Sequence, residues 1–237
     1  MKTSASCVVL LGVLEGFALD APLHKDIVGT GKAEYSQHKE ELVIRDFFQD
    51  ERGGFFLDVG CGHPIQASNT YYLEKQLGWT GIGVDGLPEM AVKWRRNRRG
   101  SRFFNYIVTD HAETLEIFHR AEMWDVSSVA RPDTLPGRVG VASEKILVPT
   151  ITLTKLLDEN HVARLDLLSI DIEGHELHAL GGFEIDRFRP RLVCIEAKPP
   201  NRAGIASYFK LHHYHQLERY LAYDLVNYYY SPEDAAR

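Results

Sequence analysis

Asp171-Ile172-Glu173-Gly174-His175-Glu176 places three carboxylates and an imidazole within six positions. Acids this close repel one another, and in a partly buried site that repulsion lifts at least one pKa toward neutrality, where a carboxylate becomes a useful proton acceptor. Asp171 is the first candidate for a general base and His175 the second, with Glu176 orienting whichever serves or holding the substrate. A plainer use is also open: one or two of these acids cap the following helix and complement its dipole. A divalent cation among Asp171, Glu173 and His175 is a third use. His178 completes no recognised ligand spacing, so no metal is assigned.

Other strand ends carry complementary chemistry. In Asp58-Val59-Gly60-Cys61-Gly62-His63-Pro64 the glycines let backbone approach a ligand, and free N–H groups can receive a carboxylate. Asp85, 25 positions after Gly60, is suited to accept hydrogen bonds from both hydroxyls of a ribose, with helix capping as its rival role. Thr109-Asp110-His111 is placed to flank an adenine, Asp110 accepting from the exocyclic amine, unless it is a simple turn.

These residues need a scaffold that gathers strand ends. Short apolar runs at 55–60, 80–85, 102–108, 165–172 and 191–196 read as strands, and 40–48, 67–77, 88–98, 152–160 and 174–180 as helices. Gly78 stops one helix and Pro88 opens another. Residues 112–150 predict short strands or an irregular excursion, and 214–221 with 225–230 a β-hairpin. Alternating strands and helices imply an α/β doubly wound, mostly parallel sheet whose ligands bind beyond the carboxyl ends of the strands.

A length of 237 residues suits one such domain, over 34–237, after a polar connector. Within residues 1–33, Lys2 and the apolar stretch Ala5 to Leu14 resemble a secretory leader ending near Gly16-Phe17-Ala18. Cleaved, it would send the chain into the secretory pathway; retained, it leaves a cytoplasmic protein. At about ten residues it is too short to span a bilayer. A formal net charge of −6 opposes general nucleic-acid binding. The arginine-rich run from Trp94 to Arg102 reads as a solvated helix end, and Cys61 and Cys194 as buried thiols.

Together the strand ends resemble the FkbM family of S-adenosylmethionine-dependent methyltransferases over roughly residues 35–230. Asp171 to Gly182 matches its Asp-x-Glu-Gly-x-Glu pattern followed by Leu and Gly, and Phe56 to Gly62 its first cofactor motif. Tyr35-Ser36-Gln37 resembles its Ser-Gln element, although Lys39, Glu40 and Glu41 depart from the usual Gly-Gln-Asp. Asp85-Gly86 stands where the family usually has a glutamate for the ribose. The resemblance implies a class I methyltransferase (Rossmann-like) sheet with a C-terminal antiparallel hairpin, and S-adenosylmethionine held by Gln37, Asp58, Gly60, Gly62, Asp85, Gly86, Thr109, Asp110 and His111. It also implies methylation of a hydroxyl or carboxyl oxygen on a sugar, polyketide, glycan or other small metabolite. Two rivals remain: a nicotinamide-dependent oxidoreductase, opposed by Pro64 and Ile65 in the glycine turn, and a methyltransferase-shaped binding module, opposed by the intact acids at 58, 85 and 171.

Overall fold

The computed structural model describes residues 35–122, 127–130 and 142–234, so the leader expectation lies outside the described residues. The elements, in chain order, are α1 (Glu40–Phe48), β1 (Phe55–Val59), α2 (Tyr71–Leu77), β2 (Thr80–Asp85), α3 (Met90–Asn97), β3 (Ser101–Asn105), β4 (Ile107–Val108), β5 (Leu115–Ala121) and β6 (Ser143–Ile151). The chain continues through α4 (Leu153–Glu159), β7 (Leu167–Ile170), α5 (Glu176–Gly181), α6 (Ile185–Phe188), β8 (Leu192–Glu196), α7 (Arg202–Leu211), β9 (Tyr214–Gln216) and β10 (Asn227–Pro232). A short 3-10 turn, Glu218–Tyr220, joins β9 to β10.

Seven strands form one sheet in the order β3-β2-β1-β7-β8-β10-β9. The first five are parallel, and β10 runs antiparallel to both β8 and β9. Strand alternation explains the two-sided core. Phe56, Leu167, Leu192 and Cys194 face α1 and α2, packing on Val43, Ile44, Leu73 and Trp79. Leu57, Leu168, Val193 and Ile195 face the other way, onto Leu156, Leu180, Ile205 and Phe209 of α4, α5 and α7. The doubly wound parallel sheet with an antiparallel C-terminal pair is thus the architecture found. Among the described residues no helix is long and apolar enough to cross a membrane.

The elements differ from expectation in instructive places. Helix α2 starts at Tyr71 rather than 67, because Ala67 takes φ +52° and residues 61–70 form a loop. Helix α3 starts at Met90, since the Asp85 carboxylate accepts from Leu87 N and holds the preceding turn open. The third strand breaks at Tyr106: β3 pairs with β2, whereas β4 pairs with β6 in a separate sheet of order β4-β6-β5. The described part of 112–150 is therefore regular, with β5 and β6 paired from Leu115↔Pro149 to Ala121↔Ser143. Helices α6 and α7 had no counterpart in the sequence reading.

The arginine-rich run also differs. Trp94 and Arg98 are each 1% exposed. Arg98 donates to Glu74 Oε2 (2.7 Å), the Pro64 carbonyl, Ser68 Oγ and both Thr70 oxygens, so it holds the 61–70 loop against α2. Cys61 and Cys194 are buried, and burial raises both thiols well above their usual range. Replacing Arg98 by Met would take the hydrogen-bonded guanidinium from the buried Glu74 carboxylate and leave it the more distant Lys75 ammonium at 3.6 Å, at a cost of up to about 3–5 kcal/mol. Urea unfolding should show Arg98→Met markedly less stable than the double variant Arg98→Met/Glu74→Gln; equal losses would deny the pair this role.

Candidate active site

The loops after β1 and β7 meet where the chain reverses its direction of travel across the sheet, β2 lying on one side of β1 and β7 on the other. Asp171 N donates to the Val59 carbonyl and Gly60 N to the Val84 carbonyl, each at 2.9 Å. Gly60 has φ +78°, and a Cβ there would lie 1.7 Å from the Asp171 carbonyl oxygen. Only glycine fits so close an approach.

Beyond this contact opens a crevice of about 710 Å³, its open mouth included. Gly60, Gly62 and Asp85 line one side, and Asp171, Glu173 and His175 another. Gln37 and Gly86 also reach it, and Tyr106, Val108 and Phe118 supply apolar and aromatic surface. A smaller cavity of about 310 Å³ shares Gln37, Gly60 and Asp171 with it and adds Glu40, Asp58 and Asn69. Among the described residues, neither lining includes an arginine or lysine.

The Asp85 carboxylate accepts from Gly62 N (2.9 Å) and Leu87 N (2.8 Å), which fixes it at the crevice wall. Burial nevertheless pushes its pKa up to about 6. It caps the turn before α3 and also lines the crevice, so the capping role does not take it out of reach of a ligand. Gly86 is required by packing, since a Cβ would meet the Phe118 ring at 2.5 Å. Asp58 is 4% exposed and accepts from Thr70 Oγ1 at 2.6 Å, so its first task is to anchor the loop.

Around Asp171 the acids gather more densely than the sequence run shows, because Glu196 at the end of β8 joins them. One oxygen each from Asp171, Glu173 and Glu196 lies within 4.8 Å of the others. Burial raises Asp171 well above the usual carboxylate range, and repulsion from Glu196, Glu173 and Glu176 adds to it. Glu196 is pushed up to about 7, burial being the largest cause. The Lys198 ammonium pairs with Glu173 and lies 3.1 Å from Glu196 Oε2.

Glu176 has a different role from substrate holding. It is wholly buried, accepts from Gly174 N (2.9 Å), Ile172 N (3.3 Å) and Asn201 Nδ2 (3.0 Å), and does not line the crevice. It shapes the loop, in which Glu173 and Gly174 both have positive φ. His175 lines the crevice with Nε2 3.2 Å from Thr109 Oγ1 and its ring stacked on His178. Burial, with His178 beside it, lowers its pKa to about 4, so the imidazole is neutral at physiological pH and a poor base.

Thr109, Asp110 and His111 do not line the crevice. Thr109 is buried against His175, while Asp110 pairs with His111 Nδ1 at 2.8 Å on the exposed rim. The chain bends out of the main sheet at Tyr106, so the wall beside Asp85 comes from Tyr106, Ile107 and Val108 instead. Phe118, Glu196 and Lys198 escaped the sequence reading, and Glu40 entered it only as a departure from the family's Gly-Gln-Asp run. Glu196 alone had a signal, an acid closing an apolar strand.

Glu176→Ala would strand two loop amides, at a cost of about 1–3 kcal/mol. Hydrogen exchange should show Gly174 and Ile172 amides released while β7 amides stay protected; unchanged protection would refute the loop-shaping role.

The family model described as the methyltransferase FkbM domain matches residues 58–225. No curated protein matches the sequence. Among solved structures, the chain is similar to a TehB-like SAM-dependent methyltransferase from Corynebacterium glutamicum (14% identity, 88% of this chain and 93% of that one, TM-score 0.45). It is also similar to a SAM-dependent methyltransferase from Geobacter sulfurreducens in complex with S-adenosyl-L-homocysteine (10% identity, 87% and 79%, TM-score 0.42). With the match running from the acid of β1 to the turn before β10, the chain belongs to the FkbM family of S-adenosylmethionine-dependent methyltransferases.

Proposed function

We propose that this protein transfers the methyl group of S-adenosylmethionine to a hydroxyl oxygen of a small, non-anionic metabolite such as a sugar or polyketide, with Asp171 taking the hydroxyl proton. The observation that carries the reading is the raised proton affinity of Asp171 at the wall of an acid-lined crevice. The cofactor supplies a methyl group activated by a positively charged sulfur. Everything else falls to the chain.

The residues fit this cofactor. Carboxylates without a lysine or arginine in the lining suit a ligand bearing a sulfonium and an ammonium, and oppose the diphosphate of a dinucleotide. A dinucleotide site also wants a helix N-terminus directly after the glycines, whereas α2 begins only at Tyr71. Asp85 would hold the ribose hydroxyls, and Tyr106, Val108 and Phe118 offer apolar and aromatic surface for the base. The smaller cavity, with Glu40, Asp58 and Asp171 in its lining, would receive the ammonium end.

Positive charge in the crevice favours ionised Asp171 and so works against the upward shift that burial imposes. An acceptor hydroxyl then meets a carboxylate of high proton affinity, worth about 10²–10⁴ in rate. The same acids disfavour a carboxylate or phosphate at the reacting position, which supports hydroxyl over carboxyl acceptors.

Calorimetric titration with S-adenosylhomocysteine, 5′-methylthioadenosine and NADH tests this. The first two should bind and NADH should not. Glu40→Gln should weaken S-adenosylhomocysteine roughly tenfold and leave methylthioadenosine unchanged, because only the former has an ammonium end. Asp85→Asn should weaken both. In the wild type Asp85 binds a proton below about pH 6, so affinity should fall as pH drops from about 7 to about 5, and the Asn variant should flatten that dependence. NADH binding, or nucleosides bound by neither protein, would overturn the reading.

A further inference from the structure

Lys198 stands at the place where the acids of two elements converge. Asp171 and Glu173 come from the loop after β7, where both line the crevice, and Glu196 from the end of β8. Their oxygens, within 4.8 Å of one another, have the spacing and hardness that hold a divalent cation. Here an ammonium lies against two of the three: Lys198 Nζ pairs with Glu173 and is 3.1 Å from Glu196 Oε2. The Glu173 and Glu196 side chains are only 10% and 7% exposed and Lys198 25%, so water does little to screen the group.

The lysine is held there by its own backbone. Its carbonyl accepts from Asn201 N (2.9 Å) and Arg202 N (3.2 Å) in the turn that opens α7. Asn201 Nδ2 in turn donates to the Gly174 carbonyl and to Glu176 Oε2, both at 3.0 Å, so one turn clamps the lysine and the β7 loop together. Among the described residues, the charged groups acting most strongly on Asp171 are Glu196, Glu173, Glu176 and Lys198, of which Lys198 is the cation. Without it, the mutual repulsion of these acids would lose the cation that offsets it.

We propose that Lys198 is a built-in counter-cation: it sits where a divalent metal would sit among Asp171, Glu173 and Glu196, positions those acids, and closes the cluster to metal. Lys198 is a positioning residue, acting on the acceptor's proton only through Asp171. The proposal predicts a metal site that appears when the ammonium is removed.

The test uses the full chain, MnCl2 as the probe and electron paramagnetic resonance to count bound Mn2+, and needs no acceptor and no cofactor. Wild type and Lys198→Arg should bind no Mn2+ at this cluster. Lys198→Ala should bind one Mn2+ with Kd in or below the 10⁻⁴–10⁻³ M range on the order of weak oxygen-ligated sites, and its melting temperature should rise with Mn2+. Lys198→Ala/Glu173→Gln should lose both effects. Where Lys198→Ala fails to fold, folding on addition of Mn2+ gives the same support, and Lys198→Met, which keeps the apolar stem, repeats the measurement. Wild type binding Mn2+ as tightly as the variant, or folded Ala and Met variants binding none, would overturn the proposal. Because only metal is titrated, this result is separable from failure of the cofactor site, which the nucleoside titrations report.

Discussion

Two loops cross the switch point of the sheet at a distance that admits no side chain. The Gly60 backbone lies against the Asp171 carbonyl so closely that a Cβ would overlap it, and each loop donates an amide to a carbonyl of the main sheet. This contact brings the glycine turn after β1 and the acid-rich turn after β7 together, although a long stretch of chain separates them. With Gly60 fixed, Gly62 N reaches the Asp85 carboxylate, and the ends of β1, β2 and β7 share one crevice.

Two cations, Arg98 buried and Lys198 half-buried, hold the loops on either side of that contact. Arg98 gathers residues 64–70 and Glu74 behind the β1 loop. Lys198 gathers Glu173 and Glu196 behind the β7 loop. Each neutralises acids that would otherwise be costly to bury, and each stays out of the crevice lining. Among the described residues, the ligand-facing surface is thereby left lined by carboxyl groups without a lysine or arginine, which suits a cationic cofactor.

The parallel core was legible because β1, β7 and β8 are short apolar runs closed by polar or small residues, and the strand-end rule then pointed to Gly60, Asp85 and Asp171. Their convergence on one crevice matches that reading. What escaped depends on tertiary position. Arg98 looks like a solvated arginine until the loop at 61–70 wraps it, and Glu176 looks catalytic until its oxygens are seen on the loop amides. Asp110 was assigned to the crevice on the assumption that the third strand continues to Val108, whereas the chain leaves the sheet at Tyr106. Lys198 and Glu40 come together with Asp171 only through folding, and no local spacing marks either.

The most direct measurement of the central claim is a crystal structure of the protein with S-adenosylhomocysteine. The ligand should lie across the crevice, with its ribose hydroxyls on the Asp85 carboxylate and its sulfur on the Asp171 side of Gly60. A ligand bound elsewhere, or one that leaves Asp85 and Asp171 untouched, would contradict the account.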